Sequence, residues 1–72
     1  MMEAREAVME VLRAAGEPLH WTVVLDRALR GGLIDPFTMT DVRGTVQRTL
    51  RGLAEEGALV KPTKGVYALA QG

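Results

Sequence analysis

The sequence predicts one small α+β domain in which three helices are followed by a C-terminal β-hairpin. Two observations predict this order. Apolar residues recur at helical spacing through much of the first 56 residues, and short β-type runs follow Gly57. The chain has 72 residues, which is enough for one domain, and its 47% hydrophobic and 25% charged content is typical of a folded protein.

The first two predicted helices each combine an apolar stripe with a stop signal. Gly16 suits a left-handed cap at the end of the first helix, and Pro18 prevents its continuation. Residues 19–21 form an extended link, at most one rung of a small sheet. The second helix is expected to run from Thr22, as its cap, to Arg30. The two stripes comprise Ala4, Ala7, Val8, Val11, Leu12 and Ala15 in the first helix, and Val24, Leu25, Ala28 and Leu29 in the second.

The third helix is the longest periodic segment. Thr38 and Asp41 have the spacing of a capping box, so either Thr38 or Thr40 is the expected cap, and the helix should run to about Glu56. Phe37 is expected to plug the preceding connection into the core. The apolar stripe of this helix consists of Val42, Val46, Leu50 and Leu53.

The hairpin is predicted from two short β-type runs. Residues 59–61 and 66–69 are the expected strands, and residues 62–65 are the expected four-residue turn. The side chains expected to face the core are those of Leu59, Tyr67 and Leu69.

The residue inventory disfavours catalysis and metal binding. The chain has no cysteine, no serine and one histidine, so it lacks a disulfide, a thiolate zinc site and the two common nucleophiles. We expect no enzymatic activity, no cofactor and no metal. No apolar run approaches the ~20 residues of a membrane helix, and the acidic start is unlike a secretory signal. A cytoplasmic location is therefore expected.

The charges are unevenly distributed although they sum to zero. Residues 1–41 carry four bases and seven acids, whereas residues 42–72 carry five bases and two acids. On the third helix, positions from about 100° to 240° around the axis from Val42 lie opposite the apolar stripe. This face carries no acid before Glu55. Its members are Thr40, Arg43, Gly44, Gln47, Arg48 and Arg51.

This chemistry favours nucleic-acid recognition. Guanidinium groups clamp phosphate or read guanine in bidentate fashion, and a glutamine amide can read adenine. Lys61 and Lys64 flank the predicted hairpin turn and add a second basic point. The alternative interpretation is a solvated face, for which only Arg51 and Glu55 have the spacing of an ion pair.

Gly44, Trp21 and His20 could each have either a structural or a functional role. Gly44 would let a phosphate backbone come close; otherwise it is a tolerated defect or a packing site for the second helix. Trp21 is expected to be a core or boundary aromatic residue rather than a base-stacking platform. His20 is expected to be a polar residue satisfied near the start of the second helix.

The order of elements resembles a winged helix-turn-helix domain over residues 1–72. The segment from Glu56 to Val60 and the aromatic strand Val66–Leu69 resemble its wing. The step Pro18-Leu19-His20-Trp21 resembles the HARE-type subgroup, found in restriction-linked and transcription-linked proteins. The resemblance implies that the third helix enters the major groove of DNA and that the wing touches the neighbouring backbone. It assigns Thr40, Arg43, Gly44, Gln47, Arg48 and Arg51 to the groove, and Lys61, Thr63 and Lys64 to phosphate.

Two functions remain open at this point. The first is binding of double-stranded DNA, as in a small transcriptional regulator. The second is a winged-helix protein-interaction module in a transcription, replication or restriction complex. The acidic first helix, with Glu3, Glu6 and Glu10, could then meet a basic partner, and a second copy of the chain is another possible partner.

Overall fold

The predicted apolar stripes and stop signals fold into three helices and three strands. The computed structural model describes residues 2–70. The helices are α1 (Ala4–Ala15), α2 (Trp21–Arg30) and α3 (Val42–Glu56), and the strands are β1 (Leu19–His20), β2 (Leu59–Thr63) and β3 (Val66–Leu69). The strands form one antiparallel sheet in the order β1-β3-β2. The predicted α+β fold is confirmed, and the arrangement is compatible with a winged helix-turn-helix topology.

The core lies between the three helices and the sheet. Val46, Leu50 and Leu53 of α3 are buried, as their spacing predicts, while Val42 is partly buried against the same cluster. From the hairpin, Leu59 and Tyr67 are buried and Leu69 packs partly buried beside them, which confirms their expected side. The helices α1 and α2 contribute Ala7, Val8, Val11, Leu12, Val24 and Ala28.

The sequence predicted the end of α1 correctly and the start of α2 incorrectly. Gly16 adopts a left-handed conformation with φ 66 and closes α1, as expected. Helix α2 begins earlier than predicted, because its cap is His20 rather than Thr22. The Nδ1 atom of His20 accepts a hydrogen bond from the backbone N–H of Thr22 at 3.3 Å. His20 also pairs with Val66 in the sheet, so the extended strand runs directly into the helix.

The predicted start of α3 is wrong. Asp41 is the cap, and its Oδ1 accepts the backbone N–H of Gly44 at 3.1 Å. Thr38 does not form a capping box, because its backbone N–H and its hydroxyl both donate to the carbonyl of Asp35 at 3.3 Å. Thr40 lies in the turn that precedes the helix, so it is not part of the helical face on which it was placed.

The expected burial of Phe37 is also wrong, since the residue is 95% exposed. Its backbone N–H donates to Oδ1 of Asp35 at 2.9 Å, which fixes the turn in a form that directs the ring outward. The connection is anchored in the core by other residues. Ile34 is 3% exposed, and Met39 is partly buried against the core.

The hairpin turn is shorter than the predicted four residues. Strand β2 continues to Thr63, which pairs with Val66, and the connection consists of Lys64 and Gly65. The register shifts between Val60 and Thr63, in the part of β2 that contains Pro62. Proline lacks an N–H donor and is tolerated at such an irregularity.

A pair of charged side chains joins the start of α1 to the end of α3. The guanidinium of Arg5 donates two hydrogen bonds of 2.8 Å to the two carboxylate oxygens of Glu56. These hydrogen bonds hold the pKa of Glu56 below its ordinary value and raise the pKa of Arg5. The two side chains, Arg5 and Glu56, are 55% and 52% exposed, so the contribution to stability is small.

The Arg5–Glu56 pair predicts a pH-dependent contribution to stability. Because folding lowers the pKa of Glu56, the pair stabilises the fold above the ordinary carboxyl pKa, and this stabilisation is lost as the pH falls through the lowered pKa. We expect Glu56→Gln to lower the Tm at pH ~7, and the difference from the unmodified protein to be smaller at pH ~3, below the ordinary carboxyl pKa.

Thermal unfolding followed by circular dichroism at the two pH values measures this difference. Glu55→Gln is the matched control, because Glu55 is the exposed neighbouring residue and forms no salt bridge within residues 2–70. A Tm difference for Glu56→Gln that is the same at both pH values would contradict the assignment.

Candidate nucleic-acid interface

The outward side of α3 presents three guanidinium groups. Arg43, Arg48 and Arg51 are exposed, and Gln47 between them is partly exposed. The opposite side of the same helix is buried, so one segment serves both the core and the surface. The structure thus places four of the predicted groove residues on one exposed helical face.

Arg43 is held in place by an aromatic contact that the sequence did not reveal. Its Cζ atom lies 5.4 Å from the centroid of the Trp21 ring, within the range of a cation–π interaction. Trp21 is the first residue of α2 and is partly buried, which confirms its expected boundary position. This contact places the Arg43 guanidinium beside the start of α2.

Trp21 also contacts the turn of the hairpin. Its backbone N–H donates to the carbonyl of Gly65 at 2.8 Å. A Cβ at Gly65 would lie 2.8 Å from Nε2 of His20 and 3.6 Å from Cδ1 of Trp21, so the turn approaches this junction closely. Gly65 also has φ 78, a conformation that other residues rarely adopt. These contacts hold Lys64, the preceding residue, beside the start of α2.

Asp41 introduces an acid where the sequence analysis found none before Glu55. Its Oδ2 lies 3.8 Å from Nη1 of Arg48, and Nη2 of Arg48 donates to the Thr45 hydroxyl at 3.4 Å. The side chains of Arg48 and Asp41 are 62% and 63% exposed, so the attraction is weak. The prediction that this face carries no acid before Glu55 is therefore wrong at the N-terminal end of α3. The side chain of the cap residue, Asp41, lies over the first turn of the helix.

Arg51 differs from Arg48 in having no acidic partner in the described part of the chain. The i,i+4 pair with Glu55, which the spacing allowed, does not form among the salt bridges of residues 2–70. The guanidinium of Arg51 is exposed and available to an external anion.

Gly44 is explained by the cap of α3. The nearest atoms to a Cβ at this position would be the carboxylate of Asp41, at a distance shorter than contact allows, and Nη1 of Arg48 at 3.0 Å. Asp41 has ψ 80, whereas the caps Glu3 and His20 have ψ 155 and 148. The Asp41 carboxylate lies across the site that a side chain at position 44 would occupy.

The wing carries exposed polar and basic side chains. Lys61, Thr63 and Lys64 are all exposed. Lys64 lies inside the two-residue turn, whereas Lys61 lies within β2, with its Nζ 5.9 Å from the centroid of the Tyr67 ring. Lys61 lies in the strand as predicted, but β2 continues for two residues beyond it, so the expectation that Lys61 flanks the turn is wrong.

Other kinds of site have no geometric support in the same range. Within residues 2–70 no group of three or more histidine, aspartate or glutamate side chains could hold a metal ion. None of the helices between those bounds is both long enough and apolar enough to cross a bilayer.

No protein-family model matches the sequence, and no curated protein and no solved structure matches it significantly. The assignment of the residues above therefore depends on their own geometry and on the winged-helix resemblance.

The contact between Gly44 and Asp41 predicts an unequal response of the two α3 glycines to alanine. A Cβ added at Gly52 would have no atom within 4 Å, so Gly52→Ala should stabilise α3 by up to about 1 kcal/mol. At Gly44 the same propensity gain is offset by displacement of the cap, which costs about 0.5–2 kcal/mol. We expect Gly44→Ala to be about 1 kcal/mol less favourable than Gly52→Ala.

Urea unfolding of the single variants and of each in an Asp41→Ala background measures this inequality. Without the Asp41 carboxylate, the two glycine substitutions should have similar effects. Equal effects in the presence of Asp41 would show that the cap does not explain Gly44.

Proposed function

We propose that this protein binds double-stranded DNA, with α3 in the major groove and the wing on the adjacent backbone. The observation that carries the proposal is the chain of contacts from Arg43 through Trp21 to Gly65. It links the guanidinium face of α3 to the basic turn at Lys64. A groove contact and a phosphate contact would then lie side by side, and this combination both positions a protein on duplex DNA and lets it read bases.

The dimensions of α3 support a groove contact. Its 15 residues span about 22 Å, and the major groove, about 12 Å wide, admits one α-helix. Gln47 lies between the arginines and could read adenine, while Arg43, Arg48 and Arg51 could contact guanine or phosphate. Thr40 precedes the helix and Gly44 lies beneath the cap, so we assign them a smaller share of the contacts.

The wing supplies the backbone contacts in this proposal. Lys61, Thr63 and Lys64 are exposed, and all three can donate to phosphate oxygens. The proposed biological setting is that of a small transcriptional regulator in the cytoplasm, alone or paired with a second copy.

A protein-interaction module is the second candidate, and α1 favours it. Glu3, just before this helix, and Glu6 within it are exposed. Met2 and Met9 line an open depression of about 250 Å³, and its other lining residues are two arginines and two glutamates: Arg5, Glu6, Glu10 and Arg13. Glu3 and Glu6 could attract a basic partner, and the two methionines could pack against its apolar part. This use of α1 does not involve the arginines of α3, so the two candidates can be separated by mutation.

The DNA proposal predicts salt-dependent binding to duplex DNA. The five basic residues of α3 and the wing could neutralise up to five phosphates, so log affinity should fall with log salt at a slope no steeper than about −4.5. Fluorescence anisotropy with a labelled duplex at several salt concentrations measures the slope. No binding at about 50 mM salt with ~100 μM protein would refute the proposal.

Neutralising the α3 arginines should remove most of this binding. We expect the triple variant Arg43→Gln, Arg48→Gln and Arg51→Gln to bind duplex DNA weakly, with a slope no steeper than about −1.8. The matched control changes three arginines of α1 and α2 to glutamine, which alters the net charge equally. The control residues are Arg13, Arg27 and Arg30.

The comparison with the control triple decides the location of the interface. Equal losses in the two triple variants would indicate attraction by overall charge and would exclude α3 as the specific surface. Circular dichroism should show both variants folded, since all six side chains are exposed.

A further inference from the structure

Phe37 is the most exposed large apolar residue of the described chain. Its side chain is 95% exposed, compared with 45% for Val60 and 37% for Met2. The other two aromatic residues are packed, since Tyr67 is 4% exposed and Trp21 is partly buried. Leaving an aromatic ring in water forgoes the free energy of burying it, so a ligand that covers the ring would recover part of that free energy.

The exposure of Phe37 arises from an ordered turn. Asp35 accepts the N–H of Phe37 through its side chain and the N–H of Thr38 through its carbonyl. Pro36 restricts the backbone between them. Ile34 and Met39, on either side, are anchored in the core. The ring is therefore presented outward from a fixed support.

This turn leads directly into the proposed recognition helix. Asp41, the cap of α3, lies four residues after Phe37, and Arg43 follows within the first turn. In helix-turn-helix proteins the N-terminal residues of the recognition helix contact the base edges. Phe37 lies four residues before the cap of the helix whose N-terminal end is proposed to enter the groove.

We propose that Phe37 is a base-contacting residue that packs on the C5-methyl group of a thymine in the major groove. The inference rests on the proposed DNA-binding function and assigns it a sequence-reading residue outside α3. The thymine methyl is the apolar feature of the major groove, and a phenylalanine ring is among the groups that contact it. The ring would add a thymine preference beside the bases read by Arg43 and Gln47.

A thymine methyl fits this site better than a protein partner does. Stable protein interfaces bury about 800 Å² on each side around a cluster of apolar anchors. The exposed neighbours of Phe37 include Pro36, Thr38 and Thr40, so the ring stands among small and polar side chains. One isolated ring suits a single small apolar target.

Selection from a randomised duplex pool, followed by sequencing, tests the inference. The unmodified protein and Phe37→Leu should recover sites with a thymine at one fixed position, and Phe37→Ala should lose that preference. Val60→Ala is the control, because Val60 is an exposed apolar residue on β2, and it should recover the unmodified motif. Thermal unfolding should show that Phe37→Ala is folded, since the ring contributes little to the core.

Replacing the selected thymine by deoxyuridine then isolates the methyl group. We expect this change to lower the affinity of the unmodified protein about fourfold, the value of one buried methyl group, and to leave Phe37→Ala unaffected.

The possible outcomes separate the role proposed for Phe37 from the proposed DNA-binding function. If the unmodified protein binds no duplex, both the proposed DNA-binding function and the proposed role of Phe37 are refuted. If it binds and Phe37→Ala selects the same motif with the same affinity, only the inference is overturned. A loss that is equal for all duplexes and insensitive to deoxyuridine would indicate a backbone contact and would also overturn it. Loss of self-association or of a protein partner, with DNA binding intact, would identify Phe37 as a protein anchor instead.

Discussion

The close approach of the hairpin turn to the start of α2 is the constraint on which the proposed interface depends. Gly65 leaves room for His20, and its carbonyl accepts the N–H of Trp21 at 2.8 Å. A hairpin attached only through β2 and β3 could swing at its tip, because the outer residues of β2 are exposed. Fixing the turn to α2 makes it a stationary neighbour of α3, and the ring of Trp21 extends that connection to Arg43.

The sequence predicted the elements well but the starts of α2 and α3 poorly, for a physical reason. The stripes of the helices and the glycines at 16 and 57 are local signals, since each follows from spacing or from a left-handed backbone. A cap depends on where the preceding chain comes from. His20 caps α2 because pairing with Val66 holds it extended, and that pairing joins residues far apart in the sequence. Asp41 could have been found, because aspartate is a preferred cap, but the competing Thr38 was already bound to Asp35.

The sequence predicted which side chains share the exposed face of α3. It did not predict which residues contact them. Helical spacing alone places Arg43, Arg48 and Arg51 opposite the core. The partners of two of them come from outside that face: the Trp21 ring from α2, and the Asp41 carboxylate from the cap. Phe37 shows that burial, too, can be predicted wrongly from residue type. A large aromatic residue in a connection is expected to pack into the core, yet a hydrogen-bonded turn can direct it outward at little cost to the rest of the core.

The division of α3 into two faces leaves the proposed reading surface nearly independent of the fold. Val46, Leu50 and Leu53 carry the packing, and none of the exposed arginines takes part in it. Substitutions at Gln47 or Arg51 can therefore change recognition without disturbing the core. Arg48 is coupled to the fold through Asp41, since the same carboxylate caps the helix and neighbours the guanidinium. Phosphate that draws Arg48 outward would leave the Asp41 cap intact, because the cap uses Oδ1 and the arginine faces Oδ2. An anion that drew Arg48 away would therefore not remove the interaction that starts the helix.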